Sequence, residues 1–137
     1  MISITGYEHV GIRVTDPPRA LAFYRFLGFE LDHENSHERV AEIVNAHGVR
    51  LSLIFNGEAW PGGNVLLDHD RKWPGCTHPA FIVESLADLM RAFAAAGVAL
   101  TEGPHDWGRR QACFIRDPDG NVLEFNEMTP LSPEPAA

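Results

Sequence analysis

The second half of this chain repeats the pattern of the first half, and this repeat limits the possible folds more than any other feature. Each half reads as a strand, a helix and three further strands. Identical residues recur at an offset of 69 positions and, further along, of 72 positions: His9 and His78, Gly28 and Gly97, Leu31 and Leu100, Gly48 and Gly120, Leu51 and Leu123. A duplicated unit builds a similar structure twice. We therefore predict an α+β fold of paired βαβββ modules.

A capping residue at the start and a glycine at the end mark the helix of each module. Asp16 can cap the first helix, Pro17 suits its first turn, and Gly28 ends it. In the second module Ser85 can cap the helix, and Gly97 ends it. The sequence therefore predicts one helix in each module.

The repeat also divides the chain into parts. We predict a single domain over residues 1–128, with module one at about residues 5–56 and module two at about residues 76–128. Residues 57–75 between them have the Gly and Pro content of a linker. Residues 129–137, with three prolines, are predicted to be a flexible tail.

The end of module two combines a turn with a strand. Strands are predicted near residues 98–101, 111–116 and 121–127, and Asp117-Pro118-Asp119-Gly120 is the hairpin tip between the last two. Because side chains alternate along a strand, Glu124 points to the face opposite its apolar neighbours. Its carboxylate is therefore predicted to lie in water or to have a partner.

Charge and hydropathy limit the partners. The chain has 11 Lys and Arg against 19 Asp and Glu, a net charge of −8. This balance argues against nucleic acid and anionic membrane, which are bound through basic side chains. No apolar run approaches the roughly 18 residues that span a bilayer. We predict a cytoplasmic protein with a small-molecule partner.

Two histidines and one carboxylate stand out as a possible metal site. His9 and His78 each lie near the start of a strand-like run, and Glu124 lies on the last strand. Two histidines with one carboxylate form a common donor set for divalent metals. The other interpretation is that the histidines are partly buried strand residues with local hydrogen-bond partners.

Four motifs resemble one known superfamily, the vicinal oxygen chelate proteins, which include glyoxalase I, extradiol dioxygenases and bleomycin-resistance proteins. The resemblance spans residues 5–128, and its carriers are His9-Val10-Gly11-Ile12-Arg13-Val14, Phe23-Tyr24-Arg25-Phe26-Leu27-Gly28-Phe29, His78-Pro79-Ala80-Phe81 and Asp117-Pro118-Asp119-Gly120-Asn121-Val122-Leu123-Glu124. It implies a glyoxalase-like domain whose modules form an open, barrel-like mixed sheet around a concave metal site.

The resemblance also implies roles for single residues. His9, His78 and Glu124 fall on three of the four metal-ligand positions, with Glu124 the predicted catalytic residue. Ser52 falls on the fourth position, where glyoxalase I has a carboxylate or amide, so that activity is disfavoured and Ser52 is assigned to substrate binding. The implied cofactor is one divalent ion per site, namely Fe, Ni, Zn, Co or Mn. A homodimer is expected, with the site within one chain or shared by module exchange.

Several functions stay open at this point. The first is a metal-dependent enzyme acting on a small substrate with vicinal oxygens, by non-redox lyase or isomerase chemistry. An Fe(II) extradiol-type dioxygenase is the alternative, disfavoured because two-domain extradiol enzymes are about twice as long. The third is a metal-free binding protein of the bleomycin-resistance type. A fosfomycin-type thiol transferase is weakened because no extra set of basic residues for a phosphonate is found.

Two further residues are candidates for substrate binding. Trp107 lies near a loop, where it can line the mouth of a pocket or pack at a dimer interface. Arg110 begins the strand leading to the Asp117 turn and can hold an anionic substrate group with its forked donors. No general base is assigned.

Overall fold

The structure, a computed structural model, describes residues 1–131. The predicted tail falls mostly on residues 132–137, which lie outside the described residues. The chain divides into two compact units, Met1–Gly63 and a second unit that begins at Asn64. This boundary falls inside the predicted linker. Between residues 1 and 131 neither helix, at 10 residues each, is long and apolar enough to cross a membrane.

The first unit is a four-stranded mixed sheet with one helix. Strand β1 pairs with β4 in parallel, and the other pairs are antiparallel, in the order β1-β4-β3-β2. The elements are β1 Val10–Arg13, α1 Pro17–Phe26, β2 Phe29–Asn35, β3 Val40–Asn45 and β4 Arg50–Ile54.

The second unit repeats this arrangement in the order β5-β8-β7-β6, again with one parallel pair, β5 with β8. Its elements are β5 Ala80–Ile82, α2 Leu86–Ala95, β6 Glu102–Asp106, β7 Arg110–Arg116 and β8 Val122–Met128. Neither four-stranded sheet closes on itself. The prediction of an α+β fold with paired βαβββ modules is confirmed.

Strand register shows how closely the two units correspond. Gly11 of β1 pairs with Ser52 of β4, and Ala80 of β5 pairs with Glu124 of β8. These are the same matches that the offsets of 69 and 72 positions give from the sequence. Ser52 therefore occupies in the first sheet the place that Glu124 occupies in the second sheet.

The predicted helix caps are present in both units. The Asp16 side chain accepts the backbone N–H of Arg19, and the Ser85 hydroxyl accepts that of Asp88. In the second unit Glu127 also accepts the N–H of Leu86, so two of the donors left free at the start of α2 have side-chain acceptors. These caps set where both helices begin.

One strand prediction is wrong. Residues 98–101 are not a strand, and β6 lies further along at Glu102–Asp106. Val98 instead donates its backbone N–H to the carbonyl of Phe93 and so belongs to the end of α2. Pro104 made residues 102–106 look unlike a strand, but proline is tolerated on a strand at the edge of a sheet, which is where β6 lies.

The two faces of the second sheet differ in character. Helix α2 packs on one face, where the ring of Phe93 contacts Phe125 at 5.4 Å between centroids. The alternating residues of β7 and β8 form the other face, which we call the distal face. It is defined by Ala112, Phe114, Val122, Glu124 and Asn126. Glu124 thus points away from α2, as the alternation of its strand predicts.

Candidate functional site

The centre of the candidate site is a buried carboxylate paired with a histidine. Only 5% of the surface of Glu124 is exposed. Its Oε2 lies 2.8 Å from Nε2 of His78. Its Oε1 has no hydrogen-bond partner among residues 1–131. A buried carboxylate oxygen without a donor is costly, so this arrangement favours a bound cation.

Both predicted histidine ligands are held by the residue that precedes them. In the first unit Nδ1 of His9 contacts the carboxylate of Glu8. In the second unit Nδ1 of His78 lies 2.9 Å from Oγ1 of Thr77. A hydrogen bond at one ring nitrogen fixes the orientation of a histidine and leaves the other nitrogen for a ligand. The second ring nitrogen is Nε2, which in His78 contacts Oε2 of Glu124.

Aromatic rings extend the site along the second sheet. The ring of Phe114 contacts His78 at 5.4 Å and Trp107 at 6.3 Å between centroids. Trp107 stacks on His105 at 5.4 Å with an interplanar angle of 12°. The guanidinium carbon of Arg110 lies 5.0 Å from the centre of the Trp107 ring. These rings form a largely apolar wall beside the carboxylate.

Arg110 lies between this wall and the carboxylate. Its Nε is 3.8 Å from Oε1 of Glu124, close enough for an ion pair but too far for a hydrogen bond. The structure therefore brings four of the predicted residues together in the second unit: His78, Glu124, Arg110 and Trp107. The proposed roles of Trp107 and Arg110 in substrate binding remain predictions.

The remaining two predicted residues, His9 and Ser52, belong to the first unit. Ser52 is buried and lies beside Glu42 on the neighbouring strand.

Arg50, also on β4, is surrounded by the carboxylates of Glu8, Asp32 and Glu42. The hydrogen bond to Asp32 is the main cause that raises the pKa of Arg50 above its usual value.

Metal-binding geometry is incomplete in the described part of the chain. Within residues 1–131, no three His, Cys, Asp or Glu side chains are grouped so that they could hold a metal ion. The second unit supplies the pair of His78 and Glu124. The assignment of His9 as a third ligand remains a prediction from the resemblance.

Sequence reasoning missed three features around the site. Asn126 is buried on the distal face two residues after Glu124, a position that strand alternation alone could have indicated. Nε2 of His105 lies 2.9 Å from Oε1 of Glu102. The sequence did not indicate this pair, because both residues belong to β6, whose position was predicted wrongly.

The third missed feature is a segment of the predicted linker, residues 64–72, that packs on the distal face. Leu67 packs against Ala112, Phe114 and Val122. The segment is tied down by the two-point ion pair between Asp68 and Arg116, in which one contact measures 2.8 Å. The segment therefore adds an apolar residue to the surroundings of Glu124.

Acid is expected to weaken this ion pair. The hydrogen bond from Arg116, helped by the backbone N–H of Asn64, lowers the pKa of Asp68 from 3.8 to about 2. Because the pKa is lower in the folded protein, the ion pair stabilises the fold fully above about pH 4, and its contribution falls as the pH drops towards 2. A ¹³C titration of the Asp68 carboxyl group should show this low pKa.

Arg116→Gln is the matched variant for this titration. It removes the cation but keeps a long polar side chain, so the pKa of Asp68 should return towards 3.8. An Asp68 carboxyl group that titrates near 3.8 in the wild-type protein would show that the pair does not form in solution.

Comparison with known proteins agrees with this architecture. The sequence profile of the Glyoxalase/Bleomycin resistance protein/Dioxygenase superfamily matches residues 6–125. Virulence protein STM3117 of Salmonella typhimurium (strain LT2) is 25% identical over 130 residues, which cover 88% of this chain and 82% of that protein.

Solved structures of similar fold include a glyoxalase/dioxygenase and an antibiotic binding protein. A glyoxalase/dioxygenase from Nostoc punctiforme matches with a TM-score of 0.72 and 16% identity, covering 95% of this chain and 99% of that one. TnmS3, an antibiotic binding protein from Streptomyces sp. CB03234, matches with a TM-score of 0.69 and 21% identity, covering 94% and 100%. These identities show a shared fold and not a shared activity. With its profile matched over residues 6–125, the chain belongs to the Glyoxalase/Bleomycin resistance protein/Dioxygenase superfamily.

Proposed function

We propose that this protein is a divalent-metal-dependent enzyme that acts on a small substrate with two neighbouring oxygen atoms. The observation that carries the proposal is the state of Glu124. Its carboxylate is buried, one oxygen contacts Nε2 of His78, and the other oxygen has no hydrogen-bond partner among residues 1–131. A cation bound here would neutralise the negative charge of the carboxylate and give its Oε1 atom a partner.

The chemistry of the donor groups of His78, Glu124 and His9 suits a divalent ion. His78 and Glu124 would hold it through Nε2 and the carboxylate, and His9 would be the third ligand, from the same chain or from a second copy. The contacts of Glu8 with His9 and of Thr77 with His78 support this assignment, because each of them occupies Nδ1. In His78 the metal would take the place of the contact between Nε2 and Glu124. Imidazole nitrogen together with carboxylate oxygen suits Fe, Ni, Zn, Co or Mn.

A bound ion would supply Lewis-acid chemistry, polarising a substrate oxygen and stabilising negative charge that develops on it. The protein would supply substrate binding and orientation. The guanidinium of Arg110, beside Glu124 and over Trp107, offers forked donors to an anionic group of the substrate. Phe114, packed against His78, excludes water from one side of the carboxylate. We favour non-redox lyase or isomerase chemistry over oxygenation.

A metal-free binding protein is the second candidate, and the stacked rings favour it. Trp107 is 47% exposed, and its ring contacts both His105 and the guanidinium of Arg110. Such a surface can bind a planar ligand without any metal. This candidate predicts that His9→Ala and Glu124→Ala leave ligand affinity unchanged, whereas each substitution should remove metal from the enzyme.

Metal content of protein purified without oxygen tests the proposal. We expect near-stoichiometric metal in the wild type and its loss in His78→Ala, because Nε2 of His78 is a proposed ligand. His105→Ala is the matched control, since His105 lies on the same sheet and is also paired with a glutamate, Glu102, at 2.9 Å. This variant should retain the metal.

The identity of the metal separates the chemical alternatives. Iron would favour the extradiol-type dioxygenase, while nickel, zinc, cobalt or manganese would favour isomerase or lyase chemistry. Wild-type protein that takes up no metal even after reconstitution would contradict the enzyme proposal and leave the binding protein in its place.

A further inference from the structure

Asn126 is a second buried acceptor on the distal face. Only 5% of its surface is exposed, and its Oδ1 has no hydrogen-bond partner among residues 1–131. It lies two residues after Glu124 on β8, so the two side chains point to the same side, with Cα atoms about 7 Å apart. Both side chains present an oxygen acceptor without a donor at neighbouring positions.

The orientation of the Asn126 amide follows from its one contact. Its Nδ2 donates to the backbone carbonyl of Phe81 at 3.4 Å. Turning the amide over would place Oδ1 against that carbonyl, and two acceptors repel each other. The Oδ1 atom is therefore directed away from Phe81.

The amide contributes little to folding by itself. Its contact with Phe81 is long, and its strand neighbour on β7 is the small apolar residue Ala112. Burying an amide with its oxygen unbonded costs free energy that one weak hydrogen bond does not offset. Glu124 cannot donate a hydrogen bond to Oδ1 of Asn126, because a carboxylate is itself only an acceptor. Within residues 1–131 no group supplies the missing donor, so this oxygen is available to a bound molecule.

We propose that Asn126 is a specificity-determining residue, and that its Oδ1 accepts a hydrogen bond from a hydroxyl or N–H group of the substrate. This inference rests on the proposed function, in which the vicinal oxygens of the substrate lie at Glu124. The proposal restricts the substrate class to molecules that carry a hydrogen-bond donor next to the two oxygens that bind the metal.

Oxamate and pyruvate are the probes that isolate this donor. Both are small monoanions in which a carboxylate oxygen adjoins a carbonyl oxygen, and they differ in an amino group in oxamate against a methyl group in pyruvate. Calorimetry with zinc-loaded protein measures the ratio of their dissociation constants. We expect Asn126→Leu to reduce the preference for oxamate about tenfold relative to the wild type. Zinc content should stay unchanged, because Asn126 is not a ligand.

The comparison of ratios cancels any intrinsic difference in how the two probes bind zinc. The same ratio in wild type and Asn126→Leu would overturn the proposal and indicate a bridging water or a purely structural amide. Asn126→Ala serves if the leucine variant does not fold. The side-chain NH₂ resonances of Asn126 in the wild type give a test without substitution, since oxamate should shift them and pyruvate should not.

Zinc content of the wild type reports separately on the proposed function. If the protein takes up neither zinc nor any of the other proposed divalent metals, that function fails, and the two probes are then measured on metal-free protein. A preference for oxamate that depends on Asn126 would still support the donor-binding role there. Its absence would overturn this role as well.

Discussion

Replacing Glu124 by leucine is expected to stabilise the metal-free protein and to abolish metal binding. The carboxylate is buried with one oxygen lacking a hydrogen-bond donor, so the folded state bears a desolvation cost that the contacts with His78 and Arg110 offset only in part. Leucine removes this cost and packs beside Phe114 and Ala80, the strand neighbours of residue 124. We expect the free energy of unfolding to rise by about 1–2 kcal/mol.

The same substitution removes one of three proposed ligands. Metal content should therefore fall to background, even though the protein becomes more stable. Opposite effects on stability and binding are typical of groups that serve a site rather than the fold. Urea unfolding after treatment with a chelator, together with metal analysis, measures both quantities.

Leu123→Val is the control for this experiment. Leu123 is the adjacent residue on β8, fully buried on the side of α2. Its shortening should lower the free energy of unfolding by about 1 kcal/mol and leave metal content unchanged. If Glu124→Leu kept its metal, Glu124 would not be a ligand. If it destabilised the chelated protein, the pair with His78 would be structural.

Truncation of Phe93 is expected to have the largest effect on folding. Its side chain is 1% exposed, and its ring packs edge-on against Phe125 of β8. Phe93→Ala leaves a cavity between α2 and the sheet, which should lower the free energy of unfolding by about 3–5 kcal/mol. Chemical denaturation followed by circular dichroism measures this loss.

The control is Phe26→Ala on α1, where 43% of the residue is exposed. This change should alter stability by less than about 1 kcal/mol. Phe93 contacts the side of the sheet opposite Glu124, so the folded fraction of Phe93→Ala should bind metal with unchanged affinity. Similar losses in the two phenylalanine variants would show that α2 does not anchor the second sheet.

Local rules predicted much of the fold. Asp16 and Ser85 cap the two helices as their sequence positions indicate, and the hairpin at Asp117 forms where Pro118 and Gly120 predict it. The repeat predicted the correspondence between Ser52 and Glu124, because equal spacing along two strands gives equal register. These features depend on residues close in sequence or on the repeat itself.

The missed features depend on contacts that local rules do not contain. The carboxyl group of Asp117 holds the hairpin by accepting the N–H groups of Asp119 and Asn121. The ion pair of Asp68 with Arg116 joins residues 48 positions apart. The sequence assigns His78 and Glu124 to one predicted metal site, but their direct contact and the unbonded oxygen of Asn126 become evident only with all neighbours in place.

The register shared by the two sheets has a consequence for protein engineering. Position 52 lies in the first sheet where Glu124 lies in the second, and His9, held by Glu8, corresponds to His78, held by Thr77. The single substitution Ser52→Glu would therefore introduce a second histidine–carboxylate pair, at positions whose strand register already matches that of His78 and Glu124. The duplicated module thus provides an internal template on which a new metal centre can be designed by copying.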